Sequence, residues 1–138
     1  MIVHDAPHVT STFLPEIPCV LQTWHGHASS PEFRDATLRV LQFLKERQRE
    51  FPRVEFLVDG RKLGALVAED MEWAAKVADP QLYAVGMRRI AFVLPERAVG
   101  RTSVRSYQTA ASRGPERMLI SETFRDVVSA KRWLKQQV

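Results

Sequence analysis

The sequence contains one cysteine, Cys19, so no disulfide bond can form within the chain. It also contains no apolar run close to the roughly 18 residues that a membrane span requires. The opening residues, Met1-Ile-Val-His-Asp, lack the basic and apolar segments of a signal peptide. We therefore expect no membrane span and a cytoplasmic location, the compartment in which a free cysteine is most often found.

Positive charge is missing from the first thirty residues, which hold no lysine or arginine but all four histidines: His4, His8, His25 and His27. Positions 88–117, by contrast, hold seven arginines. A basic surface of this kind attracts phosphates, acidic lipids or acidic proteins, although solvated surfaces are often basic too. No nucleic-acid-binding motif is present and the aromatic residues do not alternate with the arginines. We expect no nucleic-acid partner.

The chain has the length of one globular domain, and no linker or repeat interrupts it, so we predict a single domain over residues 1–138. Short apolar runs alternate with amphipathic segments in the order ββαβαβαβα. The predicted strands cover 9–14, 17–24, 54–58, 90–94 and 117–124, and the predicted helices cover 31–49, 68–78, 102–112 and the segment after 126. Crossovers of this length require mainly parallel strands. The prediction is an α/β fold with a mostly parallel five-stranded sheet, one mixed edge and four helices.

Ser30 is the predicted N-cap of the first helix, with Pro31 in its first turn; Asp79-Pro80 marks the exit of the second helix, and Asp126 caps the last. In the strand 54–58 we expect Val54, Phe56 and Val58 on one side and Leu57 on the other, and Tyr107 should face inward from the third helix.

Several short motifs give the chain a family resemblance. They are Trp24-x-Gly26, Val58-Asp59, Gly86-Met-Arg-Arg-Ile-Ala-Phe-Val93 and Phe124-x-Asp126-x(3)-Ala130-x(2)-Trp133-Leu134. In this order they resemble the small stand-alone SpoIIAA-like proteins, also called STAS/SEC14-domain proteins, over residues 17–138. The resemblance implies a (βα)n sandwich in which a sheet packs against helices.

The resemblance also implies a regulatory role through protein contacts. In the better-understood STAS relatives, a serine at the start of the helix after the third strand is phosphorylated, and this switches binding to a partner. The corresponding stretch here, 59–68, contains no serine or threonine. Because a phosphate needs a hydroxyl to carry it, we expect that switch to be absent from this position.

The segment Gly100-Arg101-Thr102-Ser103 is the strongest candidate for an anion site. It precedes or opens a predicted helix, where free N–H groups favour a negative ligand. Arg101 and Arg105 could add charge-assisted hydrogen bonds to a phosphate or carboxylate. Thr102 or Ser103 could equally serve only as the helix N-cap.

Asp59 ends a predicted central strand, where ligands of α/β sheets commonly bind, so it could orient a ligand or act as a base. The alternative is that its carboxylate caps the loop that follows. His25 and His27 form a weak metal signal, since zinc usually takes three or four ligands, and we predict no metal and no cofactor.

No catalytic motif is present: the sequence lacks a Gly-x-Ser-x-Gly elbow, a phosphate-binding loop and a dinucleotide fingerprint. We therefore assign no catalytic residue and expect a protein that is not an enzyme. A base function for Asp59 or His25 is a minor alternative.

These observations support two hypotheses for the function. The first is a non-catalytic binding or regulatory module that contacts an unknown protein partner or a second copy of itself, through an apolar surface formed by Leu63, Leu66, Val67 and Trp73. The alternative is a carrier or sensor of a small anionic or lipid-like ligand. That alternative predicts a cavity between the sheet and the helices, with the two arginines of the anion candidate near its mouth.

Overall fold

The computed structural model describes residues 1–64, 66–94, 98–112 and 119–136, except for the side chains of 98–100 and 112. The described residues form a six-stranded sheet whose strands lie side by side in chain order. The strands are β1 (Ile2–Asp5), β2 (Val9–Leu14), β3 (Cys19–Trp24), β4 (Glu55–Asp59), β5 (Arg89–Val93) and β6 (Ile120–Phe124). The three pairings from β3 to β6 are parallel, while β1–β2 and β2–β3 are antiparallel. The predicted α/β class is confirmed.

The prediction of five strands is wrong, because it missed β1 at the edge of the sheet. This strand has only four residues, and its two end residues, Ile2 and Asp5, are exposed. It therefore lacks the alternation of buried and exposed side chains that marks a strand in a sequence. Its place is fixed by pairing with β2, in a register that shifts between Ile2 and His4.

Helices follow each of the parallel strands. They are α1 (Ser30–Arg47), α2 (Ala68–Trp73), α3 (Asp79–Ala84), α4 (Ala98–Ser112) and α5 (Val127–Lys135). A π-helical segment, Ala74–Ala78, joins α2 to α3, so these three pieces form one continuous helical path. Within the described parts of the chain, no helix has the length and apolar character needed to cross a bilayer.

The predicted exit from this helix at Asp79-Pro80 is wrong. Pro80 lies in the first turn of α3, directly after the π-helical segment, and it has no backbone N–H to donate to the preceding turn. The Asp79 N–H donates to the carbonyl oxygen of Ala74, five residues earlier, which is the bond of a π-helix. The chain therefore passes the proline by widening the preceding turn.

Helix α1 begins one residue earlier than the sequence indicated, because Ser29 is its N-cap instead of Ser30. The Glu32 N–H donates to Ser29 Oγ over 3.3 Å, and the Ser29 N–H donates to Glu32 Oε1 over 2.9 Å. These reciprocal bonds form a capping box, and Pro31 occupies the first turn as predicted.

The direction of the chain decides which face of the sheet each helix covers. The strands from β3 to β6 are added in one direction, and right-handed crossovers then place α1, the α2–α3 path and α4 on the same face. Phe56 and Val58 belong to the core beneath these helices, while Leu57 points to the opposite face. There α5 packs through Ala130 and Leu134. The predicted division of β4 between two faces is confirmed.

Gly86, just before β5, offers a direct test of the backbone path. Its φ of 103° lies in the left-handed region, and a Cβ there would overlap the carbonyl oxygen of Pro52. We predict that Gly86→Ala lowers the free energy of unfolding by about 3 kcal/mol. Gly26→Ala is the matched control, because its Cβ would meet nothing within 4 Å. Equal urea midpoints for the two variants would contradict this path.

Candidate functional site

A cavity of about 70 Å³ lies between the sheet and the helices that cover its first face. That volume holds about five water molecules, and it is less than half of the roughly 150 Å³ cavity that accommodates benzene in an engineered protein. Strands β3, β4 and β5 form its floor, where Gln22, Val58 and Phe92 follow one another in register. The expectation of a cavity between sheet and helices is therefore met.

The wall of this cavity is rich in aromatic and aliphatic side chains. Its aromatic members are Trp24, Phe33, Phe56, Phe92 and Tyr107. Its polar side chains are Gln22, Thr37, Asp79 and Ser103. Among the lining residues that the structure describes, none is an arginine, lysine or histidine.

Gln22 belongs to the wall of this cavity, and its amide nitrogen has no hydrogen-bond partner. The side chain is 2% exposed, and Trp24 Nε1 donates to its oxygen Oε1 over 3.0 Å. Because an indole N–H can only donate, this bond fixes the amide with its oxygen toward Trp24 and its nitrogen away from it. The Nε2 group is buried and forms no hydrogen bond. A buried donor without an acceptor costs about 1 to 3 kcal/mol, so it needs an explanation.

Asp79 places a carboxyl group in the same wall. It is 6% exposed, and the hydroxyl of Tyr107 on α4 donates to its Oδ2 over 2.5 Å. Burial raises the pKa of Asp79 to about 7, although the hydrogen bond from Tyr107 works in the other direction. Burial likewise raises the pKa of Tyr107, and the neighbouring carboxylate adds to that increase. The site thus holds an acid that gains or loses its proton near neutral pH.

The predicted anion site is divided between two sides of α4. The helix begins at Ala98, so Thr102 and Ser103 lie inside it and neither is its N-cap. Ser103 is buried in the cavity wall, where its Oγ accepts from the Leu66 N–H over 2.9 Å. Arg101, Thr102 and Arg105 are exposed.

Arg105 and Thr102 instead line a separate outer groove of about 330 Å³ between α2 and α4. Residues three or four apart share a helix face, which explains why Ser103 and Tyr107 turn inward while Thr102 and Arg105 turn outward. Neither Arg101 nor Arg105 is among the residues that line the internal cavity, so their place near its mouth stays a prediction.

Both carboxylate oxygens of Asp59 accept hydrogen bonds from Arg61, two positions later in the chain. Its carboxylate accepts from Arg61 Nε over 2.9 Å, from Arg61 Nη2 over 2.8 Å and from the Arg61 backbone N–H over 3.4 Å. Burial alone would raise the pKa of Asp59, but these bonds outweigh it and hold the pKa below the ordinary value. The arrangement matches the loop-capping alternative for this residue.

Three of the four residues predicted to form an interface are buried or half-buried. Leu63 is buried and Leu66 is half-buried, and both line the cavity. The ring of Trp73 makes an edge contact with Phe33 and lies 5.2 Å below the Arg34 guanidinium. Val67 is 51% exposed.

The histidine pair lies at the end of β3 and is exposed, with His25 Nε2 2.8 Å from Thr10 Oγ1. Within the described ranges, no three histidine, cysteine, aspartate or glutamate side chains are arranged to hold a metal ion. Cys19 is buried on the opposite face of the sheet, and burial raises the pKa of its thiol to about 12.

Gln22 and Asp79 were not among the predicted site residues, nor was the hydroxyl of Tyr107, although each had a partial signal in the sequence. Gln22 occupies an inward position of β3 between Val20 and Trp24, where a polar side chain is unusual. Asp79 was interpreted as a helix exit, so its side chain was not considered. Tyr107 was predicted to face inward, which is confirmed, but its hydroxyl partner comes from a distant part of the chain.

No family model, curated protein or solved structure matches the chain. The SpoIIAA-like resemblance therefore remains a prediction.

Asp79 generates a prediction about stability and pH. Its pKa is about 7 in the folded protein and about 3.8 when exposed, so the folded state binds more protons between these values. Wild-type stability therefore falls as the pH rises through this window. An asparagine at this position would stay neutral and still accept the Tyr107 hydrogen bond. We therefore compare the free energy of unfolding of Asp79→Asn with that of wild type. We predict that this difference, variant minus wild type, is about 2 to 3 kcal/mol larger at pH 8 than at pH 5.

Urea denaturation at the two pH values measures this change. Asp5→Asn is the control, because Asp5 is exposed and its replacement should leave the difference between pH 5 and pH 8 unaltered. A stability difference between Asp79→Asn and wild type that is the same at both pH values would show that the buried carboxyl does not titrate in this range.

Proposed function

We propose that this protein binds a small, mostly apolar ligand in the cavity between its sheet and helices, and that it acts by binding and not by catalysis. Its main support is Gln22, a residue of the cavity wall whose buried Nε2 group has no hydrogen-bond partner. A ligand with an oxygen acceptor would supply that partner. Binding sites of this kind are typically apolar, with a few polar groups that orient the ligand.

The size and charge of the cavity narrow the ligand class. A volume of about 70 Å³ is too small for a lipid acyl chain, and a ligand with one ring fits only if the lining side chains move apart, since benzene occupies a cavity of roughly 150 Å³ in an engineered protein. The described lining residues carry no positive charge, so an anion would be buried without a counter-charge, at high cost. These features favour the carrier or sensor hypothesis in a revised form, with a ligand that is neither anionic nor lipid-like.

The hypothesis of a protein-contact module of the STAS type has weaker support. Three residues of its proposed surface have other contacts: Leu63 is buried in the core, Leu66 lines the cavity, and Trp73 of α2 packs against Phe33 of α1. Val67 alone of the four candidates is strongly exposed. One exposed valine is ordinary for a protein surface and does not define an interface.

The test is calorimetric titration with benzyl alcohol, which has one ring and one hydrogen-bond acceptor, and with toluene, which has the ring alone. We predict that wild type binds both. Gln22→Met should weaken binding of benzyl alcohol about fivefold, the value of one hydrogen bond, while leaving toluene unaffected or bound more tightly.

Thr37→Val is the matched control for this experiment. Thr37 also lines the cavity, but its hydroxyl already donates to the Phe33 carbonyl over 3.1 Å, so it has no bond to offer a ligand. Its replacement should change the affinity for benzyl alcohol less than twofold. Absence of binding of either compound to the folded wild-type protein would overturn the proposed function.

A further inference from the structure

Asp79 is a buried acid without a counter-ion, and this suggests the charge of the ligand. Its carboxyl group lines the cavity and has one hydrogen-bond partner, the neutral hydroxyl of Tyr107. It forms no ion pair with any residue that the structure describes. Proteins rarely bury an acid deeply unless it is paired or used.

The other charged groups near Asp79 are engaged elsewhere. Lys76, less than one turn earlier, pairs with Glu72 on the exposed side of the helix over 2.5 Å. On α4, Tyr107 faces Asp79, while Arg105 lines the outer groove. The residues of β5 that face the cavity, Ile90, Phe92 and Val93, are uncharged. No group described in the structure therefore neutralises the ionised carboxylate.

The surrounding side chains favour a positive charge in this space. The ring of Tyr107 lies 5.4 Å from that of Phe92, and Trp24, Phe33 and Phe56 complete the aromatic part of the wall. The faces of aromatic rings carry partial negative charge and attract cations, most strongly where water is excluded. A carboxylate among aromatic rings is a suitable environment for an ammonium group.

We propose that the ligand is a small amine whose ammonium group pairs with the Asp79 carboxylate, while an acceptor elsewhere in the molecule meets the Gln22 amide. This inference rests on the proposed ligand-binding function and specifies its ligand class. Gln22 on β3 and Phe92 on β5 lie two strands apart in register, and Tyr107 connects Phe92 to Asp79. The donor and the acid are therefore two separate groups of one cavity lining, which favours a ligand with two different polar groups.

Three compounds of nearly equal size separate the possible charges: benzylamine, benzyl alcohol and benzoate. We expect benzylamine to bind wild type most tightly at pH 8 and benzoate to bind least. Affinity for benzylamine should rise at least about tenfold from pH 5.5 to pH 8, because Asp79 must ionise to form the pair. Affinity for benzyl alcohol should stay constant over that range.

Asp79→Asn keeps the acceptor for Tyr107 but removes the charge. It should weaken benzylamine binding at pH 8 at least about tenfold and abolish the pH dependence, with little effect on benzyl alcohol. Asp5→Asn, at an exposed position, should behave as wild type. Ala74→Leu, which fills the cavity, should abolish binding of both compounds, whereas Ala84→Leu on the exposed surface should not.

The outcomes distinguish this inference from the function on which it rests. If benzyl alcohol binds in the cavity but benzylamine does not, or if Asp79→Asn binds benzylamine as well as wild type, the amine assignment is wrong and the proposed function stands. If none of the three compounds binds wild type, or if Ala74→Leu leaves their binding unchanged, the proposed function itself is wrong.

Discussion

Right-handed crossovers between parallel strands determine how the helices divide between the two faces of the sheet. Strands β3 to β6 are added in one direction, so each crossover returns over the same face of the sheet. Three helical segments therefore pack side by side on that face. The opposite face receives only α5, which follows the last strand. One face must therefore be filled by side chains from α1, the α2–α3 path and α4 together. The cavity lies where these three meet above β3, β4 and β5.

Local features of the α2–α3 path contribute to the space that remains. Ala74 opens the π-helical segment and lines the cavity with a single methyl group. The widened turn precedes Asp79, whose side chain reaches the cavity wall and meets Tyr107. Segments of π-helix are rare and occur often at functional sites. Here the unusual turn and the unusual buried acid are adjacent in the chain.

Much of the fold could be predicted from the sequence, because apolar periodicity reports burial directly. The strands β2 to β5, the two faces of β4 and the N-cap of α5 at Asp126 all follow from local patterns. Strand β1 could not, since its place depends on pairing with β2 and not on its own side chains. The end predicted at Asp79-Pro80 failed for a similar reason, because packing against α4 and the sheet outweighs a local stop signal.

The site was predictable only in outline. Proximity of Gln22, Asp79 and Tyr107 in one wall depends on tertiary contacts between residues far apart in the chain, which no spacing rule reveals. We expected a cavity but assigned ligand binding to Arg101 and Arg105, because arginine charge is visible in a sequence and burial of a carboxyl is not. Buried polar groups without partners are exceptions to the rules that relate a sequence to its structure, and such exceptions are expected at functional sites.

Methyl-resolved NMR during titration with benzyl alcohol shows where in the protein a ligand binds. If benzyl alcohol occupies the cavity, the methyl signals of Met71, Leu82 and Ile90, which line it, will shift in proportion to saturation. Signals of Leu57 and Leu134, buried on the opposite face, should not move. Shifts confined to that face or to exposed residues such as Val128, or no shifts at all, would contradict binding in the cavity.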